Sequence, residues 1–192
     1  MSSRIDLLAI NAPDVVAVWH GLNVSAFITV RREVRRRAGE GSAELVVPQL
    51  AAVAEALAGV VEGLPARAFA MPGGEGGWNV AQAIGHTASA RAGLVTAASM
   101  AVGGRWPADA PVVVPGVPGA LEATREDLVH RLATSQRIIE RGARVIAGHE
   151  ADPCPLEHPL VGRLRCGEWL LFSGVHDLMH LEQLENLEAS LT

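Results

Sequence analysis

The sequence predicts an all-α protein, built as a four-helix bundle with long crossover loops and an N-terminal extension. Apolar residues make up 49% of the chain, whereas aromatic residues make up only 4% and there is no tyrosine. Strand-rich folds draw heavily on aromatic and β-branched residues, so this composition favours helices. Four long segments also carry apolar residues at a spacing of three and four, separated by stretches rich in glycine and proline. Four helices with one apolar face each are typical of a bundle.

The first predicted helix covers about residues 42–62. Its apolar positions form one face, at Val46, Leu50, Val53, Leu57 and Val61. Gly63 and Pro65 end it, because neither residue continues a helix well. Residues 71–77 follow as a predicted loop, since this stretch is too rich in glycine to hold regular structure.

The second predicted helix begins after Asn79, which is a good N-cap, and Gln82 can complete a capping box three residues later. It continues to about residue 102 and stops before Gly103. The proline-rich stretch at residues 106–119 is predicted to be an extended loop.

The third predicted helix covers about residues 120–147. Its inner side is assigned to Leu121, Leu128, Leu132, Ile138 and Ile139. A loop at residues 152–167 contains three prolines, and the fourth predicted helix covers about residues 168–189. Both proline-rich connections are compatible with crossovers rather than tight hairpins.

Residues 1–41 are predicted to be an N-terminal extension that packs on a bundle formed by residues 42–192. The extension contains many β-branched residues, but no clean period decides between strand and helix. At 192 residues the chain fits one domain with a sizeable core.

Charge and cysteine content favour a cytoplasmic protein that binds neither nucleic acid nor membranes. The net charge of -5 argues against a broad nucleic-acid surface, and the arginine-rich segment at residues 31–37 is interpreted as a solvated helix face. The two cysteines are too few for a disulfide framework. The N-terminus lacks the pattern of a signal peptide. The apolar stretch at residues 45–61 is interrupted by polar residues and proline, so no membrane span is predicted.

The most informative segment contains His176 and His180. Residues four apart on a helix point in nearly the same direction, so both imidazoles can reach one metal ion, as in the helical zinc sites of metalloproteases. The pair lies in an apolar run, where an imidazole without a partner would be costly. Because such pairs also occur by chance, the interpretation requires a third ligand.

His86 is the candidate for that third ligand. It lies two turns into the second predicted helix, among small and apolar neighbours. The adjacent Gly85 costs about 1 kcal/mol of helix propensity, which suggests that another helix or a ligand approaches closely there. Three histidines would leave coordination positions open, as in catalytic metal sites. The alternative is a core histidine whose ring bonds a backbone carbonyl.

Two segments resemble the signatures of a known family. Residues 78–86 are similar to the pattern Trp-[Ser/Thr/Asn]-x-x-[Glu/Gln]-x-x-x-His of the DinB-like superfamily, which includes the YfiT-like proteins and the thiol-cofactor-dependent maleylpyruvate isomerases. The C-terminal signature is similar to residues 158–164, Glu168-Trp169, the pair His176 and His180, and Gln183. The two segments occur in the right order, and the resemblance covers about residues 42–190.

The resemblance implies an up-down-down-up bundle, commonly a homodimer, that binds a divalent metal through His86, His176 and His180. Zinc and nickel are the expected metals, with iron and manganese as alternatives. It also implies thiol-transferase or isomerase chemistry on a small-molecule substrate, with a low-molecular-weight thiol as co-substrate. The sequence departs from the family at residues 165–167, where many relatives have a threonine cap, so the resemblance does not define the start of the fourth helix.

Three functions remain open from the sequence. The first is an enzyme in which the metal activates a thiol for S-transfer or isomerisation. The second is a metal-dependent hydrolase that activates water with the help of a carboxylate base. The third is a non-catalytic, stress-related metal-binding protein. The catalytic acid or base is not identified: Asp177 is a weak candidate, because it points about 100° away from His176.

The other notable side chains are assigned mainly to structure. His158 is expected to fix the loop before the fourth helix, and His20, His130 and His149 are expected on the surface. Trp78 and Trp169 are expected to anchor packing, with the lining of a substrate pocket as the alternative. The two cysteines, Cys154 and Cys166, are expected to be inert thiols. A hydrogen bond to a ligand histidine is assigned to Gln183, Glu182 or Asn79, among which the sequence does not choose.

Overall fold

The computed structural model describes residues 3–24, 28–74 and 77–191. Over these ranges the chain forms seven α-helices and one small antiparallel sheet of two strands, which confirms the predicted all-α class. Parts of the sequence interpretation lie outside the described residues. They are positions 1, 2 and 25–27 of the predicted N-terminal extension, positions 75 and 76 of the glycine-rich loop, and position 192 at the end of the predicted bundle.

The bundle consists of the four longest helices. They are α4 (Ser42–Gly63), α5 (Val80–Ala101), α6 (Arg125–Ile146) and α7 (Cys166–Leu191). Both α4 and α5 pack mainly against α6 and α7, so these two consecutive helices occupy opposite corners of the bundle. The helix α5 begins as predicted, because Asn79 Oδ1 accepts from the Gln82 amide and Gln82 Oε1 accepts from the Asn79 amide.

The third bundle helix begins later than the sequence analysis predicted. Thr124 and Asp127 form a capping box that starts α6 at Arg125, about one turn after the predicted start. Leu121, which was assigned to the inner side, precedes this cap and is 61% exposed. The prediction for residues 120–124 was therefore wrong, because the cap fixes the first turn more strongly than the apolar pattern does.

The fourth bundle helix begins at Cys166, two residues before its predicted start. The missing threonine cap is replaced by a side chain from inside the helix, since Glu168 Oε2 accepts a hydrogen bond from the Arg165 amide at 2.8 Å. Glu168 Oε1 also accepts from Arg35 Nε at 2.9 Å. A carboxylate near the first turn suits the positive end of the helix dipole.

The predicted loop at residues 152–167 is instead largely a β-hairpin. Strand β1 (Pro153–His158) pairs antiparallel with β2 (Gly162–Arg165), and Gly162 adopts a positive φ of 70° at the turn. Prolines are tolerated here because an edge strand does not need every amide for pairing. The signal that the sequence analysis missed is the alternation of buried Cys154 and Leu156 with more exposed neighbours.

The proline-rich stretch at residues 106–119 is an extended segment, as predicted, and it is fixed at both of its flanks. The Val114 amide donates to Glu157 O at 3.0 Å, and the Glu157 amide donates to Val112 O at 2.7 Å, so the segment runs beside β1. Farther along, the Gly119 amide donates to Gln82 O on α5 at 2.9 Å. The segment therefore covers the outer face of α5 near His86.

The N-terminal segment is helical, which resolves the choice between strand and helix. It forms α1 (Arg4–Leu8), α2 (Pro13–Val24) and α3 (Ile28–Arg37). Buried side chains of α2, including Val15 and Trp19, belong to the same core as the bundle, and α2 packs against α7. The division of the chain at residue 41 remains a prediction.

The arginine-rich face of α3 is partly tied to its surroundings. Beyond the contact of Arg35 with Glu168, Arg36 pairs with Glu33 at 2.7 Å and Arg37 pairs with Asp14 at 2.7 Å. The segment thus combines a solvated face with ion pairs that dock α3 on α2 and α7.

The helix α4 is long and apolar enough to cross a membrane by length and composition alone, with a mean hydropathy of 1.6 in its most apolar window. One such helix among the described residues is weak evidence for a membrane span, because core helices of bundles share these properties. In this fold α4 packs against α6 and α7 and contributes Leu50, Val53 and Leu57 to the core.

Candidate metal centre

The three histidines singled out in the sequence lie together between α5 and α7. The potential ligand atoms of His86, His176 and His180 all lie within 4.8 Å of one another. The ring centroids are 5.4 Å apart for His86 and His176, 5.5 Å for His86 and His180, and 4.7 Å for the helical pair. All three side chains are buried, at 9%, 9% and 3% exposure. Such a cluster can hold one cation.

The position of His86 follows from a close approach of two glycines. A Cβ atom on Gly85 would lie 2.9 Å from Gly119 Cα, and one on Gly119 would lie 2.6 Å from Gly85 Cα. The sequence predicted a close approach at Gly85, but the approaching element is the loop before α6, which is neither a helix nor a ligand. This contact brings the Val117 carbonyl to within 2.8 Å of His86 Nδ1.

Hydrogen bonds orient two of the imidazole rings. The Nδ1 atom of His86 lies 2.8 Å from Val117 O, and that of His180 lies 2.9 Å from Gln183 Oε1. Both partners are acceptors, so each Nδ1 carries the proton and donates it. With the proton on Nδ1, each ring keeps its lone pair on Nε2, which is the form that coordinates metals. Among the three residues that the sequence left open as partners of a ligand histidine, Gln183 makes the contact.

His176 differs from the other two rings. Its Nδ1 is buried and has no hydrogen-bond partner among the described residues. Burial lowers the pKa of His176 well below its usual value, and the neighbouring His180 and His86 lower it further. The ring is therefore neutral at pH 7, as a metal ligand must be. Coordination would give this imidazole a further polar partner where the described residues supply none to Nδ1.

Asp177 is not placed to act as a base at this cluster. Its Oδ2 accepts from Arg91 Nε at 2.7 Å, and both side chains are fully buried. Burial raises the pKa of Asp177 to about 6, although the charge of Arg91 and its hydrogen bond oppose the shift. Sequence reasoning missed Arg91, which is a single arginine in an alanine-rich helix.

The remaining histidines behave largely as expected. His20, His130 and His149 are exposed. His158 lies at the end of β1, where its Nδ1 accepts from the Leu160 amide at 3.2 Å. Its ring centroid lies 5.2 Å from that of Phe172. It therefore stabilises the turn of the hairpin that leads into α7.

The two tryptophans lie in different surroundings. Trp169 is fully buried and packs against Phe172, which confirms the packing role. Trp78 is only partly buried, and its ring centroid lies 5.0 Å from that of His86. It therefore borders the histidine cluster, whereas the sequence analysis favoured a packing role.

Both cysteines are buried and free. Burial raises the pKa of the Cys166 thiol to about 12, and the Cys154 thiol is shifted in the same direction for the same reason. Thiols with raised pKa values are poor nucleophiles, which agrees with the expectation that they are inert.

Two cavities border the cluster. One, of about 370 Å³, is lined by His180, Gln183 and Thr87 among others. The other, of about 290 Å³, lies between α5 and the proline-rich segment, and His86 forms part of its wall. Each cavity thus has one of the three histidines in its wall.

A helical bundle with three converging histidines between two of its helices defines a class of all-α proteins that can hold a metal in the bundle core. Within that class, the model of the DinB superfamily matches residues 30–184, and the chain belongs to this superfamily. The match begins inside α3, so it reaches beyond the bundle. No match was found among curated proteins or among solved structures.

Proposed function

We propose that this protein binds one divalent transition-metal ion through His86, His176 and His180 and uses it to activate a small thiol. The observation that carries the proposal is the convergence of three buried imidazoles within 4.8 Å. Membership of the DinB superfamily supports it. Neutral imidazoles suit zinc, nickel, copper and iron. We propose zinc or nickel as the ion, with iron or manganese as alternatives.

The protein contributes orientation and burial to this site. Val117 O and Gln183 Oε1 fix two rings, and the packing of α5 on α7 sets the third beside them. Trp78 shields one side of His86 from solvent. When bound, such an ion acts as a Lewis acid that lowers the pKa of a thiol or of water. Three protein ligands leave a further position for the substrate.

Thiol S-transfer or a thiol-assisted isomerisation is the reaction class we favour. A hydrolase would need a carboxylate base near the cluster, and the nearest carboxylate along α7, Asp177, is already paired with Arg91. A non-catalytic metal-binding protein of the stress response is the remaining alternative, and the two cavities that border the histidines count against it.

The proposal includes the setting in which the protein works. We propose a cytoplasmic homodimer that acts on a small molecule and binds neither nucleic acid nor membranes. The net charge of -5 supports the exclusion of nucleic acid. The superfamily resemblance supports the homodimer.

Cobalt substitution followed by a thiol titration tests the proposed function. We expect Co²⁺ to give an absorption spectrum of nitrogen coordination, and a small neutral thiol such as 2-mercaptoethanol to add a sulfur-to-metal charge-transfer band. The variant His180→Ala should lose both signals, whereas His130→Ala, which removes an exposed histidine, should keep them. A cobalt spectrum that no thiol changes would overturn the thiol chemistry and leave the hydrolase and the non-catalytic protein as the alternatives.

A further inference from the structure

We infer that the cavity beside His86 binds the uncharged, largely apolar part of a small-molecule substrate. The inference rests on the proposed function for its chemistry, since His86 is a proposed metal ligand, but the binding itself depends on the cavity alone. The cavity measures about 290 Å³, a volume that accommodates a small ligand.

The walls of the cavity are almost entirely apolar. They come from α5, from the proline-rich segment and from Leu156 of β1. No charged side chain contributes among the described residues that line it. Apart from His86, the polar side-chain groups are the hydroxyl of Ser89 and the indole of Trp106. A charged group placed here would lose its hydration without gaining a counter-ion, so an uncharged ligand is favoured.

Small residues on α5 create the space. Ala90, Gly93 and Ala97 lie on the same face of the helix as His86, and all of them line the cavity. A glycine inside a helix costs about 1 kcal/mol relative to alanine. At Gly85 the close approach of Gly119 explains the presence of glycine, but a Cβ on Gly93 would meet no described atom within 4 Å. Gly93 is exposed and lines the cavity, so a larger side chain at this position would occupy the mouth of the cavity.

The cavity on the other side of the cluster has a different character. It measures about 370 Å³ and is lined in part by Thr87, Gln183 and Asn186, which offer hydroxyl and amide groups. The two sides of the cluster therefore differ in polarity. The larger cavity is also mainly apolar, but its hydroxyl and amide groups make it the more polar of the two. It suits the thiol co-substrate better, whereas the cavity beside His86 suits the hydrocarbon portion of the molecule that the thiol attacks.

A neutral fluorescent probe, N-phenyl-1-naphthylamine, tests the inference directly. We expect saturable binding with a rise in fluorescence to both metal-free and metal-loaded protein. The variant Gly93→Leu should weaken binding by about tenfold or more, because a helical side chain leans toward the N-terminus and would fill the space in front of Ala90. Gly59→Leu is the matched control, since Gly59 is an exposed glycine inside α4 whose Cβ would also meet no described atom within 4 Å.

Competition on the wild-type protein gives a second readout that needs no variant. We expect 1-hexanol to displace the probe and hexanoate to displace it far less. Equal displacement by both, no saturable binding, or unchanged binding in Gly93→Leu would overturn the inference. Metal analysis of the same samples separates the two claims. Probe binding without metal uptake would refute the metal site but support the apolar cavity. Metal uptake without probe binding would support the metal site but refute the binding cavity.

Discussion

Arg91 and Asp177 form a fully buried ion pair, with Arg91 Nε 2.7 Å from Asp177 Oδ2. Arg91 lies on α5 five residues after His86, and Asp177 directly follows His176 on α7. The same guanidinium donates to Ser135 Oγ and Gln136 Oε1 on α6 and to Leu50 O on α4. One side chain thus joins all four helices of the bundle next to the candidate metal centre.

Breaking this pair should strongly destabilise the fold. Arg91→Leu leaves the Asp177 carboxylate buried without a counter-ion, and removing one partner of such a pair costs about 3–5 kcal/mol. The double variant Arg91→Leu with Asp177→Leu should recover much of the loss, since no unpaired charge then remains. Urea unfolding measures both effects. Arg36→Ala, which removes an exposed pair with Glu33, is the control and should change stability little.

The glycine contact beside His86 gives a second test. Gly85→Ala would gain about 1 kcal/mol of helix propensity, but its Cβ would lie 2.9 Å from Gly119 Cα, so backbone must move. We expect a net loss of stability and weaker metal binding, because the loop that carries the Val117 carbonyl is displaced. The Cβ of Gly59→Ala in α4 would meet none of the described residues within 4 Å, so this change should stabilise the protein slightly. The melting temperatures of the two variants are compared by thermal unfolding. A higher melting temperature for Gly85→Ala than for the wild type would contradict the close packing of Gly85 on Gly119.

The hydrogen bond from His180 to Gln183 should tune metal affinity. Gln183→Leu removes the acceptor that orients the ring, and such losses typically weaken metal binding about 10–100-fold. Competition with a chromophoric chelator gives the affinity, and the melting temperature of the metal-free protein shows whether the fold is affected. Asn186→Leu, in the wall of the same cavity, should leave affinity unchanged. Equal affinities for both variants would mean that Gln183 does not position His180.

The buried thiols should react only after unfolding. Burial raises the pKa of both, to about 12 for Cys166, so little thiolate exists at pH 8 and the sulfur atoms are inaccessible. A disulfide reagent such as DTNB should therefore label almost no thiol in the native protein and both thiols in denaturant. Rapid labelling of the native protein would require a reactive cysteine near the surface, contrary to the structure.

Local signals predicted the parts of the structure that depend on local physics. The cap formed by Asn79 and Gln82 and the common face of His176 and His180 follow from spacing alone. The pair of Arg91 and Asp177 was not predictable, because the partners are 86 residues apart and only the packing of α5 on α7 joins them. The hairpin at residues 153–165 was missed because its prolines outweighed a short alternation of buried residues.

Metal content of the untagged protein tests the central claim most directly. Wild-type protein, exposed to excess Zn²⁺ or Ni²⁺ and then desalted, should retain one ion per chain. His86→Ala should retain little or none, whereas the control His130→Ala should match the wild type. Failure of the wild type to take up either ion, or full retention by His86→Ala, would contradict the three-histidine site and leave these residues as buried imidazoles of the bundle core.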